Sequence, residues 1–212
     1  MSKATKTRDA TKIETRDALI AAGAMEFAEK GVDGPSLDGI CARAGFTRGA
    51  FYVHFRDRDD LLVAVVDRVL VGFQTQVIST AGSAEDLETT VTRYVAAVAA
   101  GGPATRGVGK WHFRDTLAAC ARIPALRKRY IELQREAIAL VARAVRNGQH
   151  AGTVRADVEA QSLAEILVML TLGIGVANDV GLSFDLAGGG QTIWKLVRSA
   201  EQLAAKKLRK RK

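Results

Sequence analysis

Twenty-six residues, Ser36 to Leu61 (SLDGICARAGFTRGAFYVHFRDRDDL), constrain what this chain can become more than any other part of it. Leu37, Ile40, Cys41 and Ala44 recur at helical spacing, which predicts an amphipathic helix over 36–44. Ser36 is a competent N-cap, its hydroxyl able to take a free backbone N–H of the first turn. Gly39 stands where a capping box would carry Glu or Gln, so the cap is half of that motif. Gly45 suits the left-handed backbone that stops a helix. Thr47 can then cap a second helix running from Arg48 to about Phe55. Two helices joined by a Gly-containing turn of this length form a helix-turn-helix, a motif whose second helix lies in the DNA major groove.

The longer string from Gly31 to Leu62 is similar to the DNA-binding domain of the TetR family of transcriptional regulators. The most specific part is TRGAFYVHF followed by RDRDDLL, where Tyr52, His54, Phe55 and Arg58 fall on recurring family positions. The resemblance implies an all-α fold of about nine helices. These would form an N-terminal three-helix helix-turn-helix domain and a larger C-terminal helical domain for ligand binding and dimerisation. The expected order is a flexible polar arm over 1–12, a DNA-binding domain over 13–73 with the helix-turn-helix at 36–55, the ligand-binding and dimerisation domain over 74–205, and a basic tail over 206–212. The implied function is a homodimeric repressor, released from a palindromic operator in double-stranded DNA by a small-molecule effector. Such a protein works in the cytoplasm, at the nucleoid, and needs no cofactor. The alternative is a ligand-binding helical protein acting as an activator.

Composition bounds this expectation without carrying it. The chain has 212 residues, 48% hydrophobic, with only 3 prolines, which suits a mostly helical protein with a real core. The polar start MSKATKTRDATK predicts no secretory signal. The longest apolar run, Ile166 to Ala177, is shorter than the roughly 20 residues of a membrane span, so no membrane partner is expected. Cys41 and Cys120 give no disulfide or metal framework. The net charge of +8 is not a DNA footprint. Met1 to Asp60 holds ten Lys/Arg against ten Asp/Glu, whereas Lys206, Lys207, Arg209, Lys210, Arg211 and Lys212 supply six positive charges at the far end. That terminal run reads as a solvated tail. Binding must therefore rest on the placement of a few residues.

Those residues can be sorted physically. Phe51 and Phe55, four apart and large, are expected to face inward and pin the recognition helix. Arg48, Gly49, Ala50 and Tyr52 are then left for the groove. Arg48 is the best base reader, since a guanidinium can bond a guanine edge in two places. Gly49 permits close approach, and Ala50 offers a methyl to a thymine methyl. Tyr52 can serve base or phosphate. Ser36 and Thr47 are caps that can also touch DNA. By resemblance His54 is a phosphate contact, with a half-buried, hydrogen-bonded histidine as the alternative. Arg58 sits where the family usually carries a Lys that touches the DNA backbone, flanked by Asp57 and Asp59. Lys3, Lys6, Arg8 and Lys12 form either a basic arm along the phosphates or a solvated tail.

Upstream, Ile13 to Lys30 reads as a bracing helix, with Leu19, Ala22, Gly23 and Phe27 on one face and Arg16, Glu26 and Lys30 polar. Downstream, Arg58 to Ser79 is a long helix, followed by helices from about Ser83 to Gly101, Lys110 to Ala121, and Leu126 to Gln149. Ser162 to Leu182 and Phe184 to Lys207 form the last two, apolar enough that a second copy is expected to cover them. Trp111, His112, Phe113 and Asp115, with Met169, are the candidate ligand-binding residues, against ordinary core packing as the alternative. A small helical enzyme using Trp111, His112 and Asp115 is the competing class. The histidines at 54, 112 and 150 have no paired metal spacing, no G-x-S-x-G occurs, and no catalytic or metal residue is assigned.

Overall fold

A computed structural model describes residues 3–79, 87–99 and 111–199. Among these residues nine α-helices and no strand form: α1 Lys3–Lys30, α2 Leu37–Ala44, α3 Arg48–Tyr52, α4 Arg58–Gln74, α5 Leu87–Ala99, α6 Phe113–Arg122, α7 Pro124–His150, α8 Ala160–Asp179 and α9 Leu186–Val197. A π-helical turn, Thr75–Ser79, extends α4. The all-α expectation holds, and Pro124 opens α7 in the first turn, where its missing N–H has no partner to lose. The basic tail over 206–212, the loop over 101–109 and the start of the fifth helix before Leu87 lie outside the described residues.

The chain divides into two compact units, one within residues 1–70 and 105–131, the other within 71–104 and 132–212. The first unit takes in residues 111–131 together with the N-terminal helices. Two long-range ion pairs join these segments. Arg122 on α6 meets Asp33 at 2.6 Å, and Arg129 on α7 meets Asp67 on α4 at 2.5 Å.

In the first unit α1 is longer than its apolar stripe. It begins at Lys3, so residues 3–12 continue the helix instead of forming an irregular arm. No Gly or Pro interrupts the chain before Gly23, and nothing there breaks the helical backbone. Leu19, Ile20 and Phe27 are buried, as are Leu61, Leu62, Val65 and Val66 of α4. α1 and α4 meet closely at Gly23, where an added Cβ would lie 2.9 Å from Leu61 Cδ2. Any larger residue there would push the two helices apart.

Glu26, a polar residue of α1, is buried. It is 3% exposed. Its Oε2 meets Lys30 Nζ at 2.6 Å and its Oε1 accepts from Arg43 Nε on α2 at 2.7 Å. Arg43 also donates to Glu29, so α1 and α2 are joined by a four-residue ionic network. The Lys30 ammonium, followed by Arg43, holds the Glu26 carboxyl below its ordinary pKa against the opposing effect of burial.

The second unit has its own apolar core, with Leu87, Val141, Val145, Val154, Val168 and Trp194 among its buried members. Tyr94 packs edge-on to Phe73 at 5.9 Å and donates its hydroxyl to Thr171 O at 3.1 Å, which ties α5 to α8. Gly152, at φ 69°, ends α7 in the left-handed region. Glu159 caps α8 by accepting from Gln161 and Ser162, and those two backbone bonds lower its pKa. α9 stops at Val197, well short of the predicted Lys207. The reason is local: Arg198 turns extended and forms an antiparallel bridge with Val154, and Arg155 N–H donates to Val197 O at 2.9 Å.

α8, expected over 162–182, runs over Ala160–Asp179 and so extends beyond the apolar run 166–177. It spans 20 residues at a mean hydropathy of 1.7, which meets the length and composition of a membrane span. One face of it, including Ala164, Val168 and Gly175, is nevertheless buried in the second unit. The other face leaves Ile166, Met169 and Leu170 43–58% exposed.

Candidate nucleic-acid interface

The two caps work as their residue types dictate. Ser36 Oγ accepts from Gly39 N–H at 3.1 Å and Thr47 Oγ1 from Ala50 N–H at 3.2 Å. Gly45, at φ 74°, supplies the left-handed turn, and its N–H and that of Phe46 donate to carbonyls of the last turn of α2. α3 is therefore set at a fixed angle to α2. It is short, Arg48–Tyr52, with one further turn to Phe55, whose N–H donates to Phe51 O at 3.0 Å.

Phe51 and Phe55 are buried and their rings pack 5.5 Å apart. This leaves the opposite side of α3 open. Arg48, Gly49 and Tyr52 are exposed, and Ala50 is half-buried. Thr47 and Ser36 are exposed as well and His54 is half-buried, so seven of the residues expected to meet DNA are at least partly open to solvent. The ring of Tyr52 stands edge-on to Phe51 at 5.6 Å, which supports the base of the side chain while its tip faces solvent.

Arg58 is placed differently. Its Nη1 donates to Val32 O at 3.0 Å and to Pro35 O at 3.4 Å, and the guanidinium lies 5.9 Å from the Phe27 ring. Asp33 and Asp59 both lie 3.8 Å from its Nη2. The side chain thus laces α4 to the α1–α2 loop, and it is turned toward protein. Asp57 does cap α4, accepting from Asp60 N–H at 2.8 Å.

Three residues outside the expected DNA contacts join the surface. Arg16 of α1 stacks on the Phe55 ring at 5.2 Å. Val53 is 63% exposed just beyond α3. Asp38 of α2 pairs with Arg48, with Oδ1 2.6 Å from Nε. An apolar residue and an acid carry no DNA-binding signal by composition, so neither could be found that way. Burial first, and then the positive charges of Lys12 and Arg16, lower the pKa of His54. α1 therefore brings positive potential to the end of α3.

The ligand candidates fall in both units. Trp111, His112, Phe113 and Asp115 belong to the first unit, whereas Met169 belongs to the second. Trp111 is buried and donates its indole N–H to Thr116 Oγ1 at 2.9 Å, a closed local contact. His112 occupies the N-cap position of α6 without a side-chain cap bond, Phe113 is half-buried, and Asp115 lies 3.5 Å from Arg114 Nε. Met169 lines an open groove of about 530 Å³ on α8, together with Ile166, Leu170, Ile174 and Phe184. No group of three metal-ligating side chains occurs among the described residues.

A capped, short recognition helix with one aromatic face buried and one polar face open defines a helix-turn-helix protein. Residues 19–65 match the family model described as bacterial regulatory proteins, tetR family, so this segment is a domain of that type. The transcriptional repressor BepR of Brucella suis biovar 1 (strain 1330) is 42% identical over 55 residues, a segment covering 26% of this chain and 26% of BepR. The match thus spans about a quarter of that relative's length. Similarity of fold runs further. Reduced NemR of E. coli aligns over 88% of this chain and 97% of its own, at a TM-score of 0.72 and 20% identity. SmeT, in its complex with triclosan, aligns over 86% and 89%, at 0.66 and 25%.

Proposed function

We propose that this chain is a sequence-specific DNA-binding transcriptional regulator and not an enzyme, acting as a homodimeric repressor that a small molecule releases from a palindromic operator. The observation that carries the DNA-binding part is the division of α3, with Phe51 and Phe55 buried and Arg48, Gly49 and Tyr52 exposed. Ser36, Thr47, Ala50 and His54 complete the contact surface, and Arg58 supports it from behind. The repressor reading takes support from BepR, which is named as one. The ligand reading takes support from SmeT, whose structure holds triclosan. The site of action is the cytoplasm, where the DNA is.

Dimerisation takes support from the open apolar side of α8 and the chain beyond it. Ile166, Met169, Leu170, Leu182, Phe184 and Leu196 are all more than 40% exposed. A continuous apolar face of this kind calls for a partner, and a second copy of α8 and α9 would provide one. Two copies also place two recognition helices, and helix-turn-helix dimers read half-sites about 34–36 Å apart. A ligand that favours dimers with another spacing lowers operator affinity by shifting the population.

Gel-shift titration of the Arg48→Ala variant tests the assignment. It should lose preference for the operator while keeping weak, salt-sensitive binding to unrelated duplexes. Unchanged preference would remove α3 as the reading element.

A further inference from the structure

Several acidic residues of the first unit are engaged within the protein. Glu26 and Glu29 meet Arg43, Asp17 meets Arg68, Asp33 meets Arg122, and Asp57 caps α4. Asp38 is engaged with a residue of α3 itself. It stands in the first turn of α2, 71% exposed at its side chain, and reaches across to the first residue of α3. Its partner, Arg48, is itself 58% exposed. A carboxylate on a surface that must approach phosphates weakens DNA binding by repulsion. Its position must be judged by what it does to Arg48.

We infer that Asp38 is a positioning residue for sequence reading, holding the Arg48 guanidinium so that its outer edge meets a guanine. The inference rests on the DNA-binding reading above. Both ends of the pair are anchored: the Ser36 cap sets the backbone of Asp38, and the Thr47 cap sets that of Arg48. The carboxylate approaches at Nε, 2.6 Å away, on the inner side of the guanidinium. Nη1 and Nη2, the two nitrogens that would form parallel bonds to guanine O6 and N7, have no partner among the described residues. The carboxylate does a second thing. An unpaired Arg is a strong phosphate ligand, and phosphate contacts carry no sequence information. Pairing with Asp38 cancels much of that net charge and leaves directional hydrogen bonding as the attraction. Asp38 thus exchanges total affinity for discrimination.

The test uses the full-length chain and a randomised double-stranded DNA library, with bound duplexes sequenced for the wild type, Arg48→Ala, Asp38→Asn and Asp38→Glu. The position whose guanine preference disappears in Arg48→Ala is the one Arg48 reads. Asp38→Asn is expected to lose about two- to fivefold of the preference at that position, the scale of an exposed ion pair, with other positions unchanged. It should also bind an unrelated duplex more tightly than the wild type does. Asp38→Glu, which keeps the charge, should restore part of the preference. An Asp38→Asn pool identical to that of the wild type would overturn the inference and leave the proposed function standing, as would a loss spread evenly over all positions. If the wild type enriches no sequence, the proposed function fails and the inference with it.

Discussion

Phe51 and Tyr52 are neighbours in sequence and do opposite jobs, so truncating each should give opposite results. Phe51 is fully buried, with rings of Tyr52 and Phe55 at 5.6 and 5.5 Å. Its replacement by Ala removes a complete aromatic side chain from a packed site, which costs about 3–5 kcal/mol. For a chain of this size each kcal/mol lowers the melting temperature by about 2–4 °C, so the expected drop is roughly 6–20 °C. Tyr52 is 56% exposed and contributes one edge contact, so Tyr52→Ala should cost less than about 1.5 kcal/mol. Its loss should appear in DNA affinity. Thermal unfolding followed by circular dichroism measures the first effect, and gel shift on the same preparations measures the second. Comparable destabilisation by both variants would refute the placement of α3, because it would mean that Tyr52 is also core.

Acid should weaken the α1–α2 contact through Glu26. Its pKa is lowered in the folded chain, so its contribution is present above the ordinary carboxylate pKa and is lost as pH falls through the folded value. Glu26→Gln should therefore flatten the acid limb of the stability–pH curve measured by urea denaturation, and an unchanged limb would contradict the network. Arg58→Ala should lower stability, because Val32 and Pro35 carbonyls lose their donor. It should leave the salt dependence of DNA binding unaltered, whereas a phosphate contact would reduce the slope by about 1. Ile166→Glu, on the open side of α8, should shift sedimentation from dimer to monomer at micromolar concentration, and a wild type that is already monomeric would defeat the dimer.

Much of the interface could be read from local spacing. The caps at Ser36 and Thr47 act on backbone three residues away, and Phe51 and Phe55 are one turn apart, so short-range rules suffice for them. What escaped prediction depends on partners distant in sequence. Glu26 reads only as a polar residue until Arg43, 17 positions on, is brought beside it. Arg58 looks like a phosphate ligand until the carbonyls of Val32 and Pro35, 26 and 23 positions back, take up its guanidinium. The end of α9 was invisible for the same reason, since Arg198 pairs with Val154 across the whole of α8. Trp111 and Met169, both candidate ligand-binding residues, belong to different units, a division that local spacing does not reveal.

Footprinting on the DNA upstream of the protein's own gene tests the central claim most directly. The account predicts one protected palindromic segment with two half-sites about one helical turn apart, weakened by Arg48→Ala. Absence of any preferential protection at micromolar protein would contradict it.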